Sequence, residues 1–180
     1  MAVKDQIGRD IELKALHHYP RMSEDSECFD AAIYIDGKKV GTARDDGNGG
    51  MIHIQPHSLH EQLNEIGKSV GKLESEFSPE GLQIDAELIV GALLMEALHK
   101  KDFKKYVKPR KVTFADGAHI YTFGDLPIDK SEQEKLFEYI KKENPNAVFF
   151  NGLSEEKAFE LYCTTNQIEI GWKLMKKQDA

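Results

Sequence analysis

The chain has 180 residues, about the length of one domain, and is 40% hydrophobic and 31% charged, a balance that excludes a disordered or fibrous protein. Its net charge of −7 argues against broad affinity for nucleic acid or anionic membrane. Cys28 and Cys163 lie far apart with no CxxC pair, which excludes a disulfide framework or zinc knuckle and suits a reducing cytoplasm.

The amino terminus, "MAVKDQIGRDIELK", lacks the apolar core of a secretory signal. Leu88 to Met95 is the longest apolar run, far short of the ~20 residues that span a bilayer, so no membrane partner is expected. One compact domain over 1–180 is expected. It is β-rich over 9–56, helical over 58–107, a hairpin with helices over 110–165, and a tail over 166–180.

In "DIELKALHHY" the apolar Ile11, Leu13 and Ala15 alternate with polar neighbours, the period of a half-buried strand. Ile33 and Ile35 alternate before Asp36-Gly37, a turn pair that tolerates positive φ, and Val40 resumes the strand. "GMIHIQP" puts Ile52 and Ile54 on one face and His53 on the other, and Pro56 ends it. Three to four antiparallel strands are predicted before residue 57.

Ser58 and Glu61 then match a capping box, followed by Leu59, Leu63, Ile66, Val70 and Leu73 at helical spacing. Gly67 and Gly71 predict fraying or a close approach to a neighbour. A second, central helix is predicted from Asp85 to Val107. After Pro109, "KVTFADGAHIYTF" is a second hairpin turning at Asp116-Gly117. Ser131 and Glu134 predict another capped helix, "AVFF" a short strand, and Ser154 the cap of a last helix. "IEIGWKLM" reads as an edge strand or a docked segment carrying Trp172. The fold class is α+β, with an amino-terminal antiparallel sheet, then helices and a second β-hairpin.

The stretch "IYIDGKKVGTARDDGNGG", Ile33 to Gly50, resembles a group of small phage and prophage proteins. These share an Asp-Gly-Lys-Lys hairpin, a Val-Gly strand and an (Asn/Asp)-Asp-Gly-x-Gly-Gly loop. The group has no assigned reaction, so the resemblance implies a phage or mobile-element setting rather than a mechanism. This chain carries Asp45-Asp46 where Asn-Asp is usual.

Three places carry candidate chemistry. The loop Asp45, Asp46, Gly47, Asn48, Gly49 and Gly50 is a candidate ligand site at the accessible tip of a flexible connection. It lacks the Lys and Ser/Thr of a P-loop, and its carboxylates favour a cation or donor group over phosphate. His53, His57 and His60, with Glu61 and the two aspartates nearby, have the donor types for a divalent metal such as Zn²⁺, Mn²⁺ or Fe²⁺, without HExxH spacing. Lys100, Lys101, Lys104, Lys105, Lys108, Arg110 and Lys111 give 100–111 a local +6 against −13 elsewhere. That stripe reads first as a solvated helix face and second as a nucleic-acid contact, with Tyr106 able to stack.

No nucleophile elbow or activated cysteine is present, so binding rather than catalysis is expected. The expected function is that of a phage accessory protein binding a host protein or a nucleotide-type ligand, in a role of countering host defence. Two other readings stand beside it. One is a metal-dependent hydrolase using Asp45, Asp46, His53 and His57; the other is a nucleic-acid binder through the 100–111 stripe. No cofactor is expected beyond that divalent metal.

Overall fold

The computed structural model describes residues 3–169 and 171–175. The fold is α+β, as the periodicities predict: an amino-terminal four-stranded antiparallel sheet, then helices and a later hairpin. The chain groups into two compact units, where the sequence reads as one domain. One unit runs up to Ala97 and includes the carboxy-terminal segment; the other is Leu98–Glu169.

In the first unit, α1 (Val3–Ile7) precedes β1 (Ile11–His18), β2 (Phe29–Ile35), β3 (Lys38–Asp45) and β4 (His53–Gln55), which pair in sequence order. Asp36, at φ 50, and Gly37, at φ 76, make the β2–β3 turn as that dipeptide predicts. One face of this sheet buries Ile11, Phe29, Ala31, Ile33, Ile35, Ala43 and Ile54. The core continues into α2 (His57–Val70) through Leu59, Leu63 and Ile66, and into the first turns of α3 (Ala86–Tyr106) through Ile89, Val90 and Leu93. Phe29, Ile33, Leu63 and Ile89 are almost wholly buried, each contributing roughly 1.5–3 kcal/mol.

Two details depart from the predicted pattern. The capping box at Ser58 does not form: Pro56 is the N-cap, and Ser58 already lies inside the first turn. Gly67 answers to close approach rather than fraying, since an added Cβ would sit 2.3 Å from the Ile84 carbonyl oxygen. The Asn64 side chain ties α2 to the start of α3, its Oδ1 accepting from Ala86 N–H at 2.8 Å.

β1 carries the irregularity that matters most. Its register with β2 shifts between Lys14 and His17, a bulge in which Ala15 adopts φ 49. One extra residue moves every later side chain to the opposite face. Ile11 and Leu13 point into the core, but Ala15 is exposed and His17 joins the open face, against the simple alternation of Ile11, Leu13 and Ala15. Left-handed backbone costs a non-glycine residue roughly 1–2 kcal/mol, while glycine gives back about 0.5–1 kcal/mol in chain entropy. Ala15→Gly is therefore expected to raise the melting temperature by about 1–3 °C, measured by thermal unfolding.

A small hairpin, β5 (Lys72–Leu73) with β6 (Leu82–Gln83), completes this unit and has no counterpart in the sequence reading. The described part of the tail docks beside it. Leu174 bridges Leu73, and Gln6 exchanges two 2.7 Å hydrogen bonds with the Trp172 backbone.

The second unit holds the last turns of α3, β7 (Lys111–Asp116), β8 (His119–Asp125), α4 (Lys130–Glu143), β9 (Val148–Phe149) and α5 (Glu155–Thr165). Its sheet order is β8-β7-β9. Val112, Phe114, Ile140 and Ala147 form a buried cluster with Leu136, Phe137 and Phe149 against it. Ser154 caps α5 as predicted, accepting from Lys157 N–H at 3.4 Å. At α4 the cap is Asp129, which accepts from Ser131 and Glu132 N–H; Ser131 is not the cap.

Candidate functional site: the open face of the amino-terminal sheet

The face of the β1–β4 sheet opposite the core is uncovered, and a hollow of about 510 Å³ lies on it. Its floor is kept low by small residues, Ala15 at the bulge and Ala32 on β2. Strand register decides its polar content. His17 lies opposite Asp30, Asp30 opposite Arg44, and Arg44 opposite His53, one row across four strands. Opposed side chains have Cβ atoms about 5 Å apart, and four strands at about 4.8 Å spacing make the row roughly 14 Å long. A second row runs Ala32, Thr42, Gln55, and Lys39 completes the lining.

Electrostatically the hollow presents Lys39 and Arg44 as fixed cations, His17 and His53 at its flanks, and one carboxylate. Asp30 accepts from the Tyr19 hydroxyl at 3.0 Å. That hydrogen bond, with burial and the Asp30 charge adding to it, raises Tyr19 above the usual tyrosine value. Arg44 reaches Asp46 at 3.0 and 3.3 Å, an exposed and exchangeable pair. Among the described residues, the side chains of His17, Lys39, Thr42, His53 and Gln55 make no hydrogen bond or ion pair. Five donor-bearing side chains around one carboxylate can hold an anion and at the same time take a hydroxyl or amino group on Asp30.

The glycine loop is the accessible tip expected of it only in part, because Asp45 and Gly47 are buried. Gly47 is buried at φ +86, and a Cβ there would lie 2.0 Å from the Met22 carbonyl oxygen and 2.9 Å from Cys28 Cβ. Its carbonyl accepts from the N–H groups of Glu24, Asp25 and Ser26 at 3.0, 2.9 and 3.3 Å. Asp45, also buried, accepts from Gly47 N–H at 2.7 Å and from the Ser26 hydroxyl at 2.8 Å. Ser26 Oγ in turn accepts from Gly49 N–H at 3.1 Å. Two of the amides that an anion nest needs are thus spent, Gly47 N–H on Asp45 and Gly49 N–H on Ser26. Asp45 and Gly47 clamp two loops together at the end of the sheet where the polar row lies, while Asp46, Asn48, Gly49 and Gly50 remain exposed. Cys28 sits under this clamp, and burial, with Asp46, Asp45 and Asp30 nearby, pushes its thiol up from the ordinary value.

The expected metal set is not brought together. His53 stands on β4 in the open face, whereas His57 and His60 stack on one another at the start of α2 with ring centroids 6.0 Å apart. His57 lies 3.6 Å from Glu61. Asn64, whose Oδ1 is committed to Ala86, places its Nδ2 3.2 Å from His60 Nδ1. Among the described residues no group of three or more His, Cys, Asp or Glu is placed to hold a metal ion.

Much of the basic stripe is engaged within its own unit. Lys104 pairs with Glu155 at 3.4 Å, Lys105 with Asp102 at 2.5 Å and Lys111 with Asp125 at 2.7 Å. Lys100 lies over the Phe159 ring at 5.7 Å, and Tyr106 leans on Tyr162 at 6.2 Å. Lys101, Lys108 and Arg110 stand exposed. This is the pattern of a solvated helix end.

Of the open-face residues, only His53 was a candidate from sequence. His17, Asp30, Lys39, Thr42, Arg44 and Gln55 were not, although the alternation of small and polar residues at outward strand positions (Asp30 and Ala32, Thr42 and Arg44, His53 and Gln55) marks an uncovered face. Among the described residues no helix is long and apolar enough to cross a membrane. No protein-family model, curated protein or solved structure matches the chain.

Proposed function

We propose that this chain is a binding protein whose open sheet face takes an anionic, nucleotide-type ligand. One observation carries the reading: the cross-strand row His17–Asp30–Arg44–His53 lining a hollow of about 510 Å³, within the usual range of roughly 300–1,000 Å³ for small-ligand sites. Arg44 and Lys39 supply charge-assisted donors for phosphate. Asp30, Thr42 and Gln55 supply the complementary groups for a sugar or base edge. The ligand's phosphate displaces Asp46 from Arg44, exchanging one exposed ion pair for another. The phage or mobile-element setting is supported by the Ile33–Gly50 motif, and from it we take the role to be sequestering a nucleotide-type signal of host defence. Two lone thiols fit a bacterial cytoplasm as the compartment.

The test is calorimetric titration with a panel of nucleoside monophosphates and cyclic mono- and dinucleotides. Saturable binding by at least one is expected. Arg44→Glu should weaken it by about ten- to hundred-fold, the worth of one charge-assisted hydrogen bond. Ala32→Leu, which raises the floor of the hollow without changing charge, should weaken it as well. If no nucleotide binds, or if Arg44→Glu leaves the affinity unchanged, the reading is wrong.

A further inference from the structure

The second unit ends laterally on an unpaired strand. Among the described residues β8 is bonded to β7 on one side only, and every residue in it except Ile120 is exposed. The direction of its free main-chain groups follows from β7. Thr113 N–H donates to Asn151 Oδ1 at 2.9 Å, and the Thr113 carbonyl accepts from Phe150 N–H at 2.9 Å, so Thr113 turns both groups away from β8. Thr122 lies opposite Thr113. Antiparallel pairs alternate between bonded and non-bonded, so Thr122 and Ile120 turn their N–H and C=O groups to the open edge, while His119, Tyr121 and Phe123 are bonded to β7.

The usable edge is short and its centre is defined. Gly124, at φ +55, is the extra residue of a bulge lying between the Val112–Phe123 and Lys111–Asp125 pairs. A bulge twists an edge away from further pairing. The regular stretch is therefore His119–Phe123, with Tyr121 at its midpoint. On the face shared with Val112 and Phe114 it carries His119, Tyr121 and Phe123. Tyr121 stacks on Phe114 at 5.4 Å, and His119 meets the Tyr121 ring at 6.2 Å. Tyr121 and Phe123 remain 46% and 47% exposed, a large apolar surface left on a strand with free hydrogen-bonding groups.

We infer that this edge binds a second copy of the same chain, β8 against β8, antiparallel about a twofold axis at Tyr121. Ile120 then opposes the partner's Thr122, each donating an N–H to the other's carbonyl, and symmetry makes four such bonds. Tyr121 opposes the partner's Tyr121 in a non-bonded pair, where Cα atoms approach to about 4.5 Å and side chains meet most closely. His119 opposes the partner's Phe123, so every odd position sets ring against ring. Charge favours this occupant too. Leu98–Glu169 contains twelve basic and twelve acidic residues, so the net −7 resides elsewhere in the chain and these surfaces meet without net like-charge repulsion. A foreign strand would satisfy the main chain but would not reproduce the three ring pairs.

Size-exclusion chromatography with light scattering on the full chain is expected to give twice the chain mass at high concentration, dissociating on dilution. Tyr121→Lys, which sets two cations at the axis, should give the monomer mass throughout. Tyr121→Cys should form a disulfide-linked dimer on mild oxidation, because the Cα separation at the axis suits the bond and Cys28 and Cys163 are buried. Ile128→Cys, fully exposed away from the axis, should not cross-link at a comparable rate. A wild-type chain that stays monomeric, a dimer unmoved by Tyr121→Lys, or Tyr121→Cys linking no faster than Ile128→Cys would each overturn the inference. The cross-linking comparison decides the matter even if the lysine variant folds poorly.

Discussion

Gly47→Ala is expected to cost about 4 kcal/mol of stability and to lower the melting temperature by on the order of 10 °C, measured by calorimetry. Two physical contributions add. A side chain at φ +86 is strained whatever the space around it, worth roughly 1–3 kcal/mol. The new Cβ would also overlap the Met22 carbonyl, so the loops must part, and three amides bonded to the Gly47 carbonyl lose their acceptor. Each such bond is worth about 0.5–1.5 kcal/mol. The neighbouring Gly50 supplies the control, since an added Cβ there meets nothing within 4 Å and its φ is not positive. Gly50→Ala should leave the melting temperature within about 2 °C of the parent. Equal effects at both positions would mean that the clamp does not hold the loops as described.

Asp45→Ala should cost about 3 kcal/mol, by removing the acceptor shared by Gly47 N–H and the Ser26 hydroxyl. Asp45→Asn keeps an acceptor oxygen and should cost about half as much. Because Asp45 and Gly47 act on the same pair of loops, Asp45→Ala combined with Gly47→Ala should cost clearly less than the sum of the two. Denaturant unfolding of the four proteins in the cycle measures this, and strict additivity would show that the residues act independently. The effect should reach the proposed nucleotide binding as well, because the clamp steadies the strand ends that carry His17, Asp30, Arg44 and His53.

The local parts of the fold were legible in the sequence, and the parts that depend on distant partners were not. Asp36-Gly37 announces its hairpin because both residues take the positive φ that turn requires, while the second hairpin turns one residue later than predicted, at Gly117-Ala118 between the paired Asp116 and His119. The predicted central helix, Asp85 to Val107, forms over Ala86–Tyr106, and the Asp85 side chain accepts from Leu88 N–H at 2.8 Å at its start. The Ser58 and Ser131 boxes failed because better-placed neighbours start those helices first: Pro56 with its fixed φ, and Asp129 with a carboxylate. A Ser-x-x-Glu spacing cannot register such competition.

The glycine loop shows the same limit at greater range. Its composition suggests a mobile tip, yet Gly47 is needed because a segment some twenty residues earlier in the chain presses on it. The polar row was least legible of all. His17, Asp30, Arg44 and His53 are neighbours only through strand register, and the register of β1 turns on a bulge at an alanine, a residue that gives no signal of positive φ. Had alternation continued through Ala15, His17 would face the core. The boundary between the two units falls inside α3, where no linker or change of composition separates Ala97 from Leu98.

That bulge also bears on how related chains should be compared. It is a residue of slack: a chain lacking either Ala15 or Leu16 would run β1 straight and still present the next histidine across from Asp30. A one-residue gap at this point in an alignment would therefore be silent for the polar row. The β2–β3 pair holds the same kind of slack at Val40, the extra residue between the Ile33–Gly41 and Tyr34–Lys39 pairs, so a gap there would leave Asp30 across from Arg44 as well.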